Sequence, residues 1–304
     1  MEVAIESTPS WYWLYNSLED EVFDLQLSHP LRTKAIAHAK VKTDKVDSAT
    51  LAHLLRSNLL PLSYVPERSM RLSRELMRYR ASLVKIQTRV KNKIHMVIAK
   101  NNVNYEYSDL FGKAGTDFLL SLMLPENYKI ALYGYLTVLD TVREEIKIAS
   151  KRVQQIAEQD NDAILLMAIP GVGYYSALLI TSEIGDVKRF PSAKHLCSYS
   201  GLIPSTHTLG NLSYHGHITN RGSKWLRWIL LESAIHAAKK PGPLRHFYHK
   251  VERKKGGQIA KVATARKLLE WLYHMLKDGK TFSQIERIIE SHDRGEPVID
   301  SGGE

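Results

Sequence analysis

Asp44 and Asp47 stand three residues apart in Thr43-Asp44-Lys45-Val46-Asp47. On a helical turn that spacing sends both carboxylates to one face, where they can share a divalent cation. Carboxylate oxygens are hard ligands and suit magnesium. Glu6 ends a short β-like stretch, Glu2 to Glu6. An α/β sheet can bring such a residue beside a helix start, and the three acids would then form a cluster for two-metal phosphoryl transfer. A plainer reading stands beside this one: Thr43 or Asp44 caps a helix running through Leu55, and Asp47 is a solvated first-turn charge favoured by the helix dipole. An Asp-x-x-Asp pair by itself does not separate the two.

A second group of residues suits phosphate. Thr208-Leu209-Gly210-Asn211 and Gly216-His217-Ile218-Thr219-Asn220-Arg221-Gly222 form a glycine-rich polar loop that enters a helix over Ser223 to Ala238. Glycines let the backbone approach a phosphodiester, and Arg221, Lys224 and Arg227 can hold its oxygens. Ile169-Pro170-Gly171-Val172-Gly173 lies between two helical patterns and resembles a helix-hairpin-helix loop, in which Gly171 and Gly173 leave amides open at a helix start to hold a DNA phosphate. A tight interhelical turn with glycine at positive φ explains the same residues. His207, His215 and His217 match no zinc spacing, so phosphate contact or simple exposure is their reading. Trp11, Trp13, Trp225 and Trp228 read as core or interface anchors.

The elements that position these residues are α/β at the start and α thereafter. Trp11 to Leu18 begins a helix, and Val22 to Leu27 is a second strand ending at His29-Pro30. From Leu72 the apolar residues Leu72, Leu76, Tyr79, Leu83, Ile86, Val90, Ile94 and Val97 recur at helical steps, as do Leu132, Leu136, Leu139, Val142, Ile146, Ala149, Val153 and Ile156. The two runs are expected to pair as an antiparallel coiled-coil arm. Val262 to Leu276 is another periodic helix, and the polar stretch from Asp278 to Glu304 is expected to fray after its last turns.

Charge narrows the class. The 304 residues hold 42 Lys plus Arg against 32 Asp plus Glu, a formal charge of +10, and 44% hydrophobic with 24% charged residues is ordinary globular usage. Ten of the cations fall between Arg68 and Lys100, among them Arg78, Lys85, Arg89 and Lys93, with Glu75 the lone acid inside that span. So one-sided a helix favours a phosphate or RNA surface over a solvated face or a subunit contact, which would mix both signs. The single cysteine, Cys197, excludes a disulfide framework and a cysteine-rich zinc site and suits a reducing cytoplasm. No run of about 18 apolar residues exists to span a bilayer, and a cytoplasmic, nucleoid-associated location is expected.

Five stretches carry a resemblance: Glu6-Ser7-Thr8; Lys42-Thr43-Asp44-Lys45-Val46-Asp47 with Leu51-Ala52; Ile169 to Gly173; Ser200-Gly201-Leu202-Ile203-Pro204; and Ile218 to Arg227. In order and spacing the chain resembles the DEDD-type transposases of the insertion-sequence one-ten family, relatives of the Piv and MooV invertases. The resemblance implies a fold of α/β plus α. A partial RNase H-like (RuvC-type) domain would occupy 1–62, a long coiled-coil arm 63–160, and a mostly helical C-terminal transposase domain with the helix-hairpin-helix-like turn 161–304. It implies a multimer acting on DNA with Mg2+ held by Glu6, Asp44 and Asp47, guided by a structured bridge RNA.

Two departures follow from the same resemblance. The family's first aspartate lies on a strand well upstream of the glutamate, whereas here five residues precede Glu6, so a start lacking that strand is expected. The family's nucleophilic serine precedes a glycine, and the corresponding position here is Leu209 before Gly210; leucine has no hydroxyl with which to form a phosphoserine link. Ser205, Thr208 and Ser213 are the substitutes at hand. The expectation is a transposase copy that binds nucleic acid without exchanging strands. A binding remnant that inhibits intact relatives, a metal-dependent RuvC-like nuclease and a purely structural coiled-coil protein are the rival readings.

Overall fold

The computed structural model describes residues 2–8, 10–22, 24–37, 43–209, 212–219 and 222–294. It divides into two compact units, Met1–Arg71 and Leu72–Glu304.

In the first unit β1 (Glu2–Glu6), α1 (Trp11–Leu18) and β2 (Asp24–Ser28) form a crossover unit. The strands are parallel, with Glu2 opposite Asp24 and Glu6 opposite Ser28, and a parallel pair requires a connection of the kind α1 supplies. The second strand begins two residues later than the expected Val22, because the Glu21 and Val22 amides still bond to the Leu18 carbonyl at 3.0 and 2.9 Å and finish the helix end. After α2 (Pro30–Ile36), α3 (Asp44–Arg56) packs on β1. The chain then returns along β2: the His29 amide donates to the Pro61 carbonyl at 2.8 Å and the Ser63 amide to that of Leu27 at 2.7 Å. Arg71 is buried and holds the unit's end, donating to the Glu19 carboxylate at 2.7 Å and to the Pro66 carbonyl at 2.9 Å beneath the Tyr15 ring.

The second unit is helical apart from one hairpin. It takes in α4 (Arg68–Lys100), within which the division between units falls, then α5 (Lys113–Ser121), α6 (Glu126–Ala157), α7 (Asn161–Met167), α8 (Tyr174–Ile184) and α9 (Ala193–Ser200). β3 (Pro204–Leu209) and β4 (Leu212–Ile218) follow, and then α10 (Lys224–Ala238), α11 (Pro243–Lys255), α12 (Gly257–Asp278) and α13 (Phe282–Arg294). Tyr79 bonds to Glu145 and Arg80 to Ser150, each at 3.0 Å. Val90, Ile94 and Val97 share a core with Leu132, Leu136 and Leu139. The first half of α4 thus meets the second half of α6, and its second half meets the first half of α6, so the two helices lie antiparallel. The apolar stripe expected on α4 is corrected in part: Leu72, Tyr79 and Ile86 face solvent, and Met77 and Ala81 take their place in the buried seam.

Where a glycine-rich loop was expected, residues 204–218 form an antiparallel hairpin with Thr208 opposite Ser213 and Leu209 opposite Leu212. The sequence held a signal, since a Gly-Asn pair, here Gly210-Asn211, between two β-prone runs favours a short hairpin turn. Those two residues lie outside the described set.

The main core gathers around α8, which is buried at every position from Ala177 to Ile184 and is packed on by α6, α7 and α10. A helix apolar on all sides belongs in an interior. α12 covers the other flank against α7, α9, α10 and α11. Among the described residues no helix is long and apolar enough to cross a membrane.

Candidate nucleic-acid interface

The three expected metal ligands all lie in the first unit. Asp44 is the first residue of α3 and Asp47 is in the same turn, behind Thr43, whose hydroxyl accepts the Val46 amide at 3.3 Å. Glu6 ends β1, the strand on which α3 packs, and is exposed. Three carboxylates suit a hard cation, yet among the described residues no group of three His, Cys, Asp or Glu side chains stands placed to hold one. Asp44 and Asp47 do fulfil the plainer role, two anions at the positive end of a helix.

In the second unit, the C-terminal end of α8 organises the basic residues. The last carbonyls of a helix lack intrahelical partners, and here guanidinium groups supply them. Arg74 donates to the Ser182 and Glu183 carbonyls at 2.8 and 3.1 Å, and Arg189 donates to that of Ile184 at 3.1 and 3.0 Å. Cations at this end also suit the dipole. The Glu183 side chain is only 2% exposed. Its carboxylate accepts from Arg78 at 3.1 Å and from the Ser223 hydroxyl at 2.8 Å. Ser223 in turn caps α10 by accepting the Leu226 amide at 3.1 Å. One buried acid therefore ties the long basic helix to the start of α10.

The entry to α10 is fixed from a second side. Gly222 has φ +84°, and a Cβ there would stand 1.9 Å from the Tyr199 carbonyl oxygen, so no other residue fits. The Ser223 amide bonds that carbonyl at 3.1 Å, and Arg227 donates to the Ser200 carbonyl at 3.0 Å. Arg78 and Arg227, both half-buried, thus each donate to an acceptor from a distant stretch of chain. Gly171 also has a packing role: at φ +90° its added Cβ would lie 2.8 Å from the Ala237 amide nitrogen of α10. Gly173 is different, since a Cβ there meets nothing within 4 Å and α8 begins behind it without a side-chain cap. Arg221 lies outside the described residues.

The remaining cations face outward. Arg89 and Lys93 are exposed on α4, and among the described residues neither has a carboxylate partner. Lys85 is exposed with its Nζ 5.3 Å from the Trp225 ring centroid. Lys224 is the exposed first residue of α10, a place where a helix prefers an anion. Such a lysine adds to the positive potential of the helix start, which a phosphate would neutralise.

Two features were missed in the sequence. α11 carries Arg245, His246, His249, Lys250 and the run Arg253-Lys254-Lys255 against Glu252; the run itself was the signal. The second is aromatic. Trp225 packs on the core edge, whereas Trp228 is 40% exposed, so of the two expected core or interface anchors only Trp225 meets the core. It touches Trp225 and Tyr175, with ring centroids 5.9 and 6.3 Å apart. Tyr175 is held by donating to the Met77 carbonyl at 3.1 Å, and burial pushes its hydroxyl up to about 12 against the lowering effect of Arg80.

Comparison with known proteins adds two family matches. The profile described as Transposase IS116/IS110/IS902 family matches residues 163–249, and that of the DEDD transposase domain of IS110 elements matches residues 1–100. The chain is 25% identical over 244 residues to a probable family 20 transposase of Pseudomonas aeruginosa, covering 76% of this chain and 70% of that one. It is 30% identical over 149 residues to the transposase for insertion sequence element IS1111A of Coxiella burnetii, covering 46% and 39%. It is 35% identical over 133 residues to the pilin gene-inverting protein of Moraxella bovis, covering 42% and 40%. Except for the Pseudomonas protein, the chain spans less than half the length of these relatives.

Proposed function

We propose that this chain, which belongs to the IS110/IS116/IS902 family of transposases, serves DNA transposition and recombination by binding DNA through the cationic surface of its helical unit, without itself joining strands. The observation that carries the proposal is the outer face of α4 and the start of α10. There Lys85, Arg89, Lys93 and Lys224 are exposed with no carboxylate partner among the described residues. Each cation that neutralises a phosphate releases condensed counterions, so such a surface gives steep, salt-sensitive affinity.

Several finer parts of the family architecture accord with the structure. The parallel β1–α1–β2 unit with α3 against β1 supports an RNase H-like domain of DEDD type. The antiparallel pairing of α4 and α6 supports a coiled-coil arm, and the uncapped start of α8 after the 169–173 turn supports a helix-hairpin-helix contact to phosphate. The one-sided charge of α4 suits a structured guide RNA as well as DNA, and assembly of several copies at the nucleoid belongs to the same reading. Asp44 and Asp47 are the residues that would hold magnesium, with Glu6 on the adjoining strand. Leu209 offers no hydroxyl for a covalent link to DNA.

Titrating a labelled duplex with the full chain at several salt concentrations tests the binding half. The logarithm of affinity should fall with the logarithm of salt by about 0.9 for each phosphate contacted, and an affinity indifferent to salt would remove the proposal. Incubation with element ends and magnesium tests the other half: unjoined substrate is expected, and joined products would contradict it.

A further inference from the structure

We infer that the ring ladder Tyr175–Trp228–Trp225, with its flanking cations, is a stacking platform for unpaired nucleotides, a reading that rests on the proposed nucleic-acid function and assigns single strands to one face of it. Trp228 stands in the middle of the ladder, in contact with a ring on either side and 40% exposed. A cation closes each end: the Arg80 guanidinium lies 4.4 Å from the Tyr175 ring centroid and the Lys85 ammonium 5.3 Å from that of Trp225. Of the three rings Trp228 is the exposed one, with Tyr175 and Trp225 half-buried beneath it, and an exposed ring flanked by cations holds single strands without regard to sequence, because every base has a π-face and every nucleotide a phosphate.

Two neighbouring features point to the same ligand. Tyr175 is the second residue of α8, whose opening amides have no side-chain cap behind Gly173, and Tyr174 beside it is 41% exposed. Of the carboxylates on these helices, Glu183 of α8 is occupied by Arg78 and Ser223, and Glu232 of α10 pairs with Lys261. An apolar partner protein would be served by the rings but not by cations at both ends and an open helix start; a polyanion with flat rings is served by all of them.

The test uses the full chain with a fluorescein-labelled oligothymidylate of about ten nucleotides, within the site sizes known for such platforms, and a duplex of equal length. Trp228→Ala should bind the oligothymidylate about 5- to 100-fold more weakly, leave duplex affinity unchanged, and be rescued by Trp228→Phe. Lys85→Gln should lower the salt slope for the single strand by about 0.7. Wild-type affinity of Trp228→Ala for oligothymidylate would overturn the inference, and duplex binding would then leave the proposed function standing. Failure of wild type to bind either oligonucleotide would remove both. A change of sedimentation state in Trp228→Ala, with oligonucleotide affinity intact, would make this face a protein contact and also overturn the inference.

Discussion

The two units are built to different standards of burial. Among the described residues of Met1–Arg71 the buried aliphatic side chains are Ile5, Leu27, Leu54 and Leu60, while α1 and α2 bury none of their residues. Trp13, Leu31, Ile36, Leu59 and Leu62 are each more than half exposed there. In Leu72–Glu304 a continuous core surrounds α8, and even its charged residues, Arg74 and Glu183, are enclosed with partners. The acids expected to do chemistry therefore sit on a thinly cored α/β frame. The cations and rings expected to hold nucleic acid sit on a densely packed helical body. Preorganisation favours the second: a surface held by a rigid core presents its charges without an ordering cost at binding.

The comparison can be broken most forcefully at Glu183. Glu183→Ala leaves Arg74 and Arg78 without their shared carboxylate, and loss of one partner of a buried pair costs about 3–5 kcal/mol. Urea unfolding should show it, and a loss below about 1 kcal/mol would mean the pair behaves as a surface bridge. Next comes the core itself. Leu230→Ala, at 0% exposure, should cost about 2–5 kcal/mol, and Leu54→Ala in the first unit should cost distinctly less, because a thin core collapses into the space more readily. Equal losses would erase the distinction between the units.

Alkali should act chiefly on the helical body. Burial pushes both the Tyr175 hydroxyl and the Cys197 thiol up to about 12, from 10.0 and 9.0. Each folded value is raised, so the stabilisation is fully present below the unfolded value and is lost as pH rises through the folded one. Stability of the second unit should be level to about pH 9 and fall toward about pH 12; a level profile across that window contradicts the burial. The smallest effect belongs to the first unit: Asp44→Asn should weaken α3 by about 0.3–1 kcal/mol, the ordinary worth of a charge at a helix start. A stabilising Asp44→Asn would instead mark repulsion from another acid close by.

Much of this organisation was legible in the residues. The helical periodicity of α4 and α6, the Thr43 cap and the first strand follow from local spacing, and the resemblance to the transposase family is carried by five short motifs. The roles of Arg74, Arg78 and Arg227 were not legible, because each depends on a carbonyl or carboxylate that the fold brings from a distant stretch of chain. Arg74 meets Ser182 and Arg78 meets Glu183. One warning was present: Glu183 stands in a mostly apolar stretch from Ala177 to Ile184, and a buried acid there needs a cation from elsewhere. The hairpin over 204–218 was hidden by reading glycines as loop-forming when one of them, in Gly210-Asn211, signals a turn between strands. Trp228 was hidden because an aromatic residue on an amphipathic helix is usually interior, and only the packing shows it to be exposed.

The most direct test of the central claim sets the two units against each other in one titration. Duplex affinity is measured against salt for Arg89→Gln/Lys93→Gln/Lys224→Gln and for Glu6→Gln/Asp44→Asn/Asp47→Asn. The account predicts that the first variant loses affinity and that its salt slope drops by about 2.7, at about 0.9 for each cation removed, while the second binds at least as tightly as wild type. Unchanged binding by the first variant, or lost binding by the second, would contradict it.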